Sequence, residues 1–258
     1  GAVLAVTTFL KFGVLALGLS AFWGGFWAGT NYALSFVVIM LAHWTVATKQ
    51  PAMTAPALAA KLPSVDERRG WRDDAAIESF VDEVQHLIRS QAAGVLGNLC
   101  AVGPLVLAVQ LAADAWLGRP LIDAGQAQHV LESLTVLGPT PLYAAFTGVL
   151  LFASAMIAGW VENWFVFHGL DSAIAWNPRI VARLGAARAQ RWGAWWRRNI
   201  SGLAANVSLG MLLGLTPVIG AFFGLGIDVR HVTLSTGQLA AALGAQGSAL
   251  LQQPVFWA

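Results

Sequence analysis

The chain has 258 residues, 57% of them apolar and only 11% charged, about half the share of charge in an ordinary soluble domain. That composition excludes the disordered, collagen-like and disulfide-stapled classes, and the single cysteine, Cys100, can form no internal bridge. Fifteen basic and thirteen acidic residues leave a net charge of +2, so the position of the charges carries more information than their sum.

Long charge-free gaps dominate the pattern. No charge occurs over the 37 residues 12–48, and further gaps cover 90–113, 133–161, 199–227 and 231–258. Each exceeds the roughly 20 residues that a helix needs to cross a hydrocarbon core of about 30 Å. In chain order the gaps predict membrane helices near 2–24, 31–48, 92–114, 140–162 and 202–226. A weaker sixth segment, 232–250, is interrupted by Thr233, Ser235, Thr236, Gln238 and Gln246. The first gap holds most of two crossings, and its Trp23 to Asn31 stretch, rich in glycine and tryptophan, predicts an interfacial turn. The expected fold is an all-α membrane protein, a polytopic bundle of about six segments with amphipathic cytoplasmic helices.

No signal peptide is expected, since no basic region precedes the first apolar stretch. Gly1 and the apolar end 253–258 read as edges of a longer protein.

Two connectors carry most of the positive charge. Lys49, Lys61, Arg68, Arg69, Arg72 and Arg89 lie in 49–90, and Arg179, Arg183, Arg188, Arg191, Arg197 and Arg198 in 163–199. Helices that alternate in direction put both on one side, and the positive-inside rule makes that side cytoplasmic. The expected location is the bacterial inner membrane.

The first connector predicts an amphipathic helix from Trp71, with Ile77, Phe80, Val81, Val84, Leu87 and Ile88 on one stripe. Its acids Asp73, Asp74, Glu78, Asp82 and Glu83 fit a solvated face near a helix start. In the second connector Asn177 and Pro178 predict a cap with proline at the first helical position. Arg179, Arg183, Arg188, Arg191 and Trp195 then predict an interfacial helix on anionic lipid headgroups, and nucleic acid is not expected as a partner.

Polar groups at membrane depth are the candidate functional residues, because a charge there costs at least ~2.5 kcal/mol. Lys11, Asn31, His43, Asn98 and Asn206 belong to this group. Asn206, Pro217, Asp228, Arg230 and His231 form the expected substrate site of a transporter-like protein, by analogy with the broken helices of transporters. Gly210 with Gly214, and Gly220 with Gly224, are GxxxG spacings that predict close helix packing, within the chain or between copies. No spacing matches a zinc or haem site, and no metal or cofactor is expected.

Three stretches resemble a known family: LAHWTVATKQPAMTAP at 41–56, GWVENW at 159–164, and NVSLG at 206–210 running on to DVRHVTLSTG at 228–237. They are similar to the bacterial polytopic membrane proteins named site-specific recombinases. The resemblance implies a larger protein with hydrophobic sequence on both sides, and its name implies DNA strand exchange. The residues point elsewhere. A tyrosine recombinase needs a phenol among arginines and histidine at a phosphate, whereas Tyr32 and Tyr143 are expected at apolar helix starts on the outer side. No catalytic residue is carried over, and the leading expectation is a non-enzymatic transporter, channel or membrane scaffold, with recombination as the alternative.

Overall fold

A computed structural model describes residues 1–44 and 74–257. Among these residues every regular element is a helix: α1 (Ala2–Ala16), α2 (Ala21–Leu41), α3 (Asp74–Leu117), α4 (Ala124–Leu134), α5 (Thr140–Phe167), α6 (Leu170–Ala175), α7 (Pro178–Leu184), α8 (Ala186–Phe222), α9 (Val232–Gln246), a 3-10 turn (Ser248–Gln252) and α10 (Pro254–Trp257). Among the described residues four helices are long and apolar enough to cross a membrane: α2, α3 from Phe80, α5 and α8. Helices α1 and α9 have 15 residues each. At 1.5 Å per residue these are about 22 Å long and fall short of a full hydrocarbon core.

Several boundaries differ from the sequence expectation. The first break falls at 17–20, around Gly18 with φ 59°, instead of the expected turn at Trp23 to Asn31, which lies inside α2. Gly25 and Gly29 are spaced for a helix-packing face, and that use outweighs their turn preference. The expected separate helix from Trp71 and span 92–114 form one 44-residue helix, α3, which carries Pro104 within it. Its residues before Asp74, with Lys49, Lys61, Arg68, Arg69 and Arg72, lie outside the described residues. Likewise the arginine and tryptophan segment from Ala186 runs straight into the span expected at 202–226 as the single helix α8. No proline or glycine pair interrupts 186–200, so the backbone has no reason to stop there.

The chain forms two compact units. The first comprises Gly1–Ala16, Trp44–Ala145 and Arg230–Ala258. In it α9 packs on α3, α4 and α1. A Cβ on Gly103 would meet Thr236, and one on Gly244 would meet Gln110. The paired positions advance together, so α3 and α9 run parallel. Leu4, Phe12, Val102, Val106, Ile122, Leu131 and Leu234 form its apolar interior.

The second unit comprises Leu17–His43 and Phe146–Val229. Its centre is the antiparallel contact of α2 with α8, where Gly25 faces Val218, Gly29 faces Gly210 and Met211, Ala33 faces Gly210, and Met40 faces Gly202. Short α6 and α7 fold back on the first half of α8, where Gly193 lies directly against the Asp171 carbonyl. On α5, Thr147, Leu150, Ser154, Ala158 and Phe165 form the buried stripe, while Phe152, Met156 and Trp160 are exposed. An apolar exterior of this kind suits a lipid solvent and would be costly in water.

Gly224, expected as half of a packing motif, instead ends α8. It adopts φ 65°, its N–H donates to the Ala221 carbonyl at 3.2 Å, and the Leu225 N–H donates to the Gly220 carbonyl at 2.9 Å. This is a Schellman stop, which requires the left-handed conformation that glycine adopts without penalty.

Candidate functional site

Arg230, which follows α8, anchors the best-defined polar cluster of the first unit. Its construction starts at α4, where Asp123 and Gln126 form a capping box: the Gln126 N–H donates to Asp123 Oδ1 at 2.7 Å, and the Asp123 N–H donates to Gln126 Oε1 at 3.1 Å. The pair three residues apart is a recognised helix-start signal. At the other end of α4 the Ser133 carbonyl has no intrahelical partner to come, as in every last turn. Arg230 supplies one, donating from Nε at 3.2 Å and from Nη2 at 2.9 Å, and Thr140 Oγ1 donates to the same oxygen at 3.1 Å. The guanidinium also lies over the Tyr143 ring, 5.2 Å from its centroid. A cation at a helix C-terminus and over an aromatic face is favoured on both counts.

Arg230 therefore ties α4 to the start of α5. Glu162, in the second unit, pairs with Arg197 at 3.1 Å. Asp228 accepts the Val229 N–H at 2.7 Å, an arrangement that stiffens the turn. His231 precedes α9, outside the four membrane-length helices, and is buried. Burial pushes its imidazole down to about 4, so the ring is neutral at pH 7.

Asn206 and Pro217 both lie in α8, eleven positions apart, or about 16 Å along the axis. The buried Asn206 spends one amide hydrogen on the Gly202 carbonyl at 2.7 Å. His43 is exposed at the end of α2 with φ 56°, and Asn98 is buried in α3.

Two buried polar side chains escaped the sequence reading as site candidates. Gln110 is fully buried in α3, and neither of its amide atoms has a hydrogen-bond partner among the described residues. The Thr233 hydroxyl in α9 shares both properties. The signal for Gln110 was an uncharged amide inside the apolar run 92–114, which averaged hydropathy conceals. Such groups cost about 1–3 kcal/mol each when unsatisfied.

The arginine-rich segment sits in the second unit. Asn177 Oδ1 accepts the Arg179 N–H at 2.9 Å and the Ile180 N–H at 3.4 Å, with Pro178 at the start of α7, as the sequence predicts. Arg179 and Arg183 on α7, and Arg188, Arg191, Arg197 and Arg198 on α8, are all exposed. Trp195 is half-buried and meets Trp196 edge to face, with ring centroids 5.3 Å apart.

The two tyrosines belong to different units. Tyr143 is near the start of α5 and half-buried, as expected, but Tyr32 is buried in the middle of α2 because that helix begins at Ala21.

A family model described as "Site-specific recombinase" matches residues 1–258. No curated protein and no solved structure matches the chain.

Proposed function

From the premise that this chain belongs to the site-specific recombinase family, we propose that it is a multi-pass inner-membrane protein serving as a non-enzymatic scaffold. The observation that carries this reading is the employment of its polar residues. Arg230 caps α4 and covers Tyr143, and Asn206 bonds within α8. Each has a structural task within its own unit. Charge distribution along the chain supports one orientation of the four membrane-length helices. Alternating crossings by α2, α3, α5 and α8 return both arginine-rich connectors to one side, which the positive-inside rule makes cytoplasmic. On that side Arg179, Arg183, Arg188, Arg191 and Trp195 face the anionic leaflet, and their attraction to it is worth up to about 1 kcal/mol per arginine.

Passage of a solute is the second reading, favoured by Gln110 and Thr233, whose buried groups could serve a polar traveller. Asn206, Pro217, Asp228, Arg230 and His231 remain its candidate residues. DNA strand exchange, which the family name implies, has less support: Tyr143 faces one arginine, and that arginine is occupied by a carbonyl.

Proteoliposomes of the purified protein separate the three. The scaffold reading expects no flux of small solutes or ions and no covalent adduct with supercoiled DNA. A flux abolished by Gln110→Leu would establish transport instead, and an adduct lost in Tyr143→Phe would establish recombination.

Topology is checked separately with single cysteines in a Cys100→Ala background. Gln190→Cys, exposed on α8, should resist an impermeant thiol reagent in intact cells, and Gln128→Cys, exposed on α4, should label. The reverse pattern would invert the topology.

A further inference from the structure

One stripe of α8 runs through positions 188, 191, 195, 198, 202, 206, 209 and 213, each three or four residues from the last, so these side chains share a face. Over its second half that face is covered by α2: Asn206, Leu209 and Leu213 are buried, and Gly202 lies against Met40. Helix α2 ends at Leu41. Beyond that end the same stripe continues as Arg198, Trp195, Arg191 and Arg188, with all three arginines exposed. An interface between two membrane-length helices thus opens, at one end, onto a row of arginine and tryptophan.

Height along the helix separates these arginines. Arg198 is four residues from Gly202, about 6 Å, whereas Arg191 and Arg188 are about 16 and 21 Å away. The headgroup layer on each side of a bilayer is only about 5–8 Å thick. Side chains lean toward the N-terminus of their helix, so Arg198 extends from the edge of the apolar layer toward the headgroups. The outer two lean farther into water. Trp195, one turn above Arg198 and about 10 Å from Gly202, lies just beyond that layer. Arg197 points to the other side, where it pairs with Glu162.

We infer that this stretch of α8, exposed among the described residues, binds the phosphate of an anionic phospholipid, with Arg198 gripping it. The inference rests on the membrane reading above and narrows its lipid contact to one place. Arg179, Arg183, Arg188 and Arg191 supply diffuse attraction, and Arg198 supplies the site. Charge complementarity and continuity with the α2 and α8 interface favour a lipid that slides in beside α2.

The full chain in nanodiscs of mixed phosphatidylglycerol and phosphatidylcholine tests it, read as the ratio of the two lipids retained after detergent extraction. The intact protein should favour the anionic lipid about fivefold, the size of one arginine's effect at a charged surface. Arg198→Gln should bring the ratio near one, while Arg198→Lys, Arg188→Gln and Arg197→Gln should keep most of the preference. Equal loss in Arg188→Gln, no loss in Arg198→Gln, or displacement of the lipid by duplex DNA of matched phosphate content would overturn the site. The cysteine pattern at Gln190 and Gln128 reports on the membrane reading independently, so the two can fail separately.

Discussion

Gly214→Val should unfold the α2 and α8 pair, with a loss of about 3 kcal/mol or more. A Cβ at Gly214 would fall directly on the Gly29 backbone N–H and the Gly25 carbonyl. Overpacking usually costs about 1–3 kcal/mol because neighbouring side chains can rotate away. Here the obstacles are main-chain atoms of a regular helix, which have no alternative rotamer, so the cost lies at or above the top of that range. The same argument covers Gly210, which lies against Ala33. Glycines with open surroundings provide the control. Gly148→Ala and Gly159→Ala meet nothing within 4 Å and should stabilise α5 slightly, by up to about 1 kcal/mol, through helix propensity. Thermal melts in one detergent check all four. Comparable melting of Gly214→Val and the parent would show that α2 and α8 are farther apart than described.

Arg230→Gln should cost about 2–4 kcal/mol. The guanidinium gives two hydrogen bonds to the Ser133 carbonyl and one contact with Tyr143. Bonds from a charged donor contribute about 1.5–3 kcal/mol, and a cation over a ring about 0.5–2 kcal/mol. Arg230→Lys keeps the charge but loses the planar fork, so it should recover less than half of the loss. Asp228→Asn should be milder, because an amide oxygen still accepts the Val229 N–H. If Arg230→Lys proves as stable as the parent, the role is charge alone and the fork geometry has no importance. Tyr143→Leu, which removes the ring and leaves the carbonyl, separates the two contributions.

The membrane character of the chain was legible because lipid imposes a crude rule: charge must be absent for about 20 residues. Helix ends were less legible. A gap in charge marks where a helix is allowed to cross, but nothing in it marks where the backbone stops. Trp23 to Asn31 illustrates the difficulty, since glycines every four residues look alike whether they permit a turn or a close helix contact. The choice depends on Gly210 and Gly214, nearly two hundred residues later. Asn177 and Pro178 were readable because a cap is decided within four residues of its own sequence. Arg230 showed itself as a costly charge, but its partner did not. Ser133 accepts through its backbone, and a carbonyl at a helix end is invisible until α4 is known to end there.

The 37 residues of α8 form a rod about 55 Å long. Its tightest contact with a neighbour, at Gly210 and Gly214, is off-centre. About 39 Å of rod lies on the arginine side of that contact and only about 15 Å on the other. The contact acts as a fulcrum with unequal arms. A small tilt there sweeps the arginine end more than twice as far as the end at Phe222, and in the opposite direction. Conversely, a load on the arginine end arrives at the Gly224 stop with its force multiplied by the same ratio. Whatever engages the arginines therefore has mechanical advantage over the turn at Gly224.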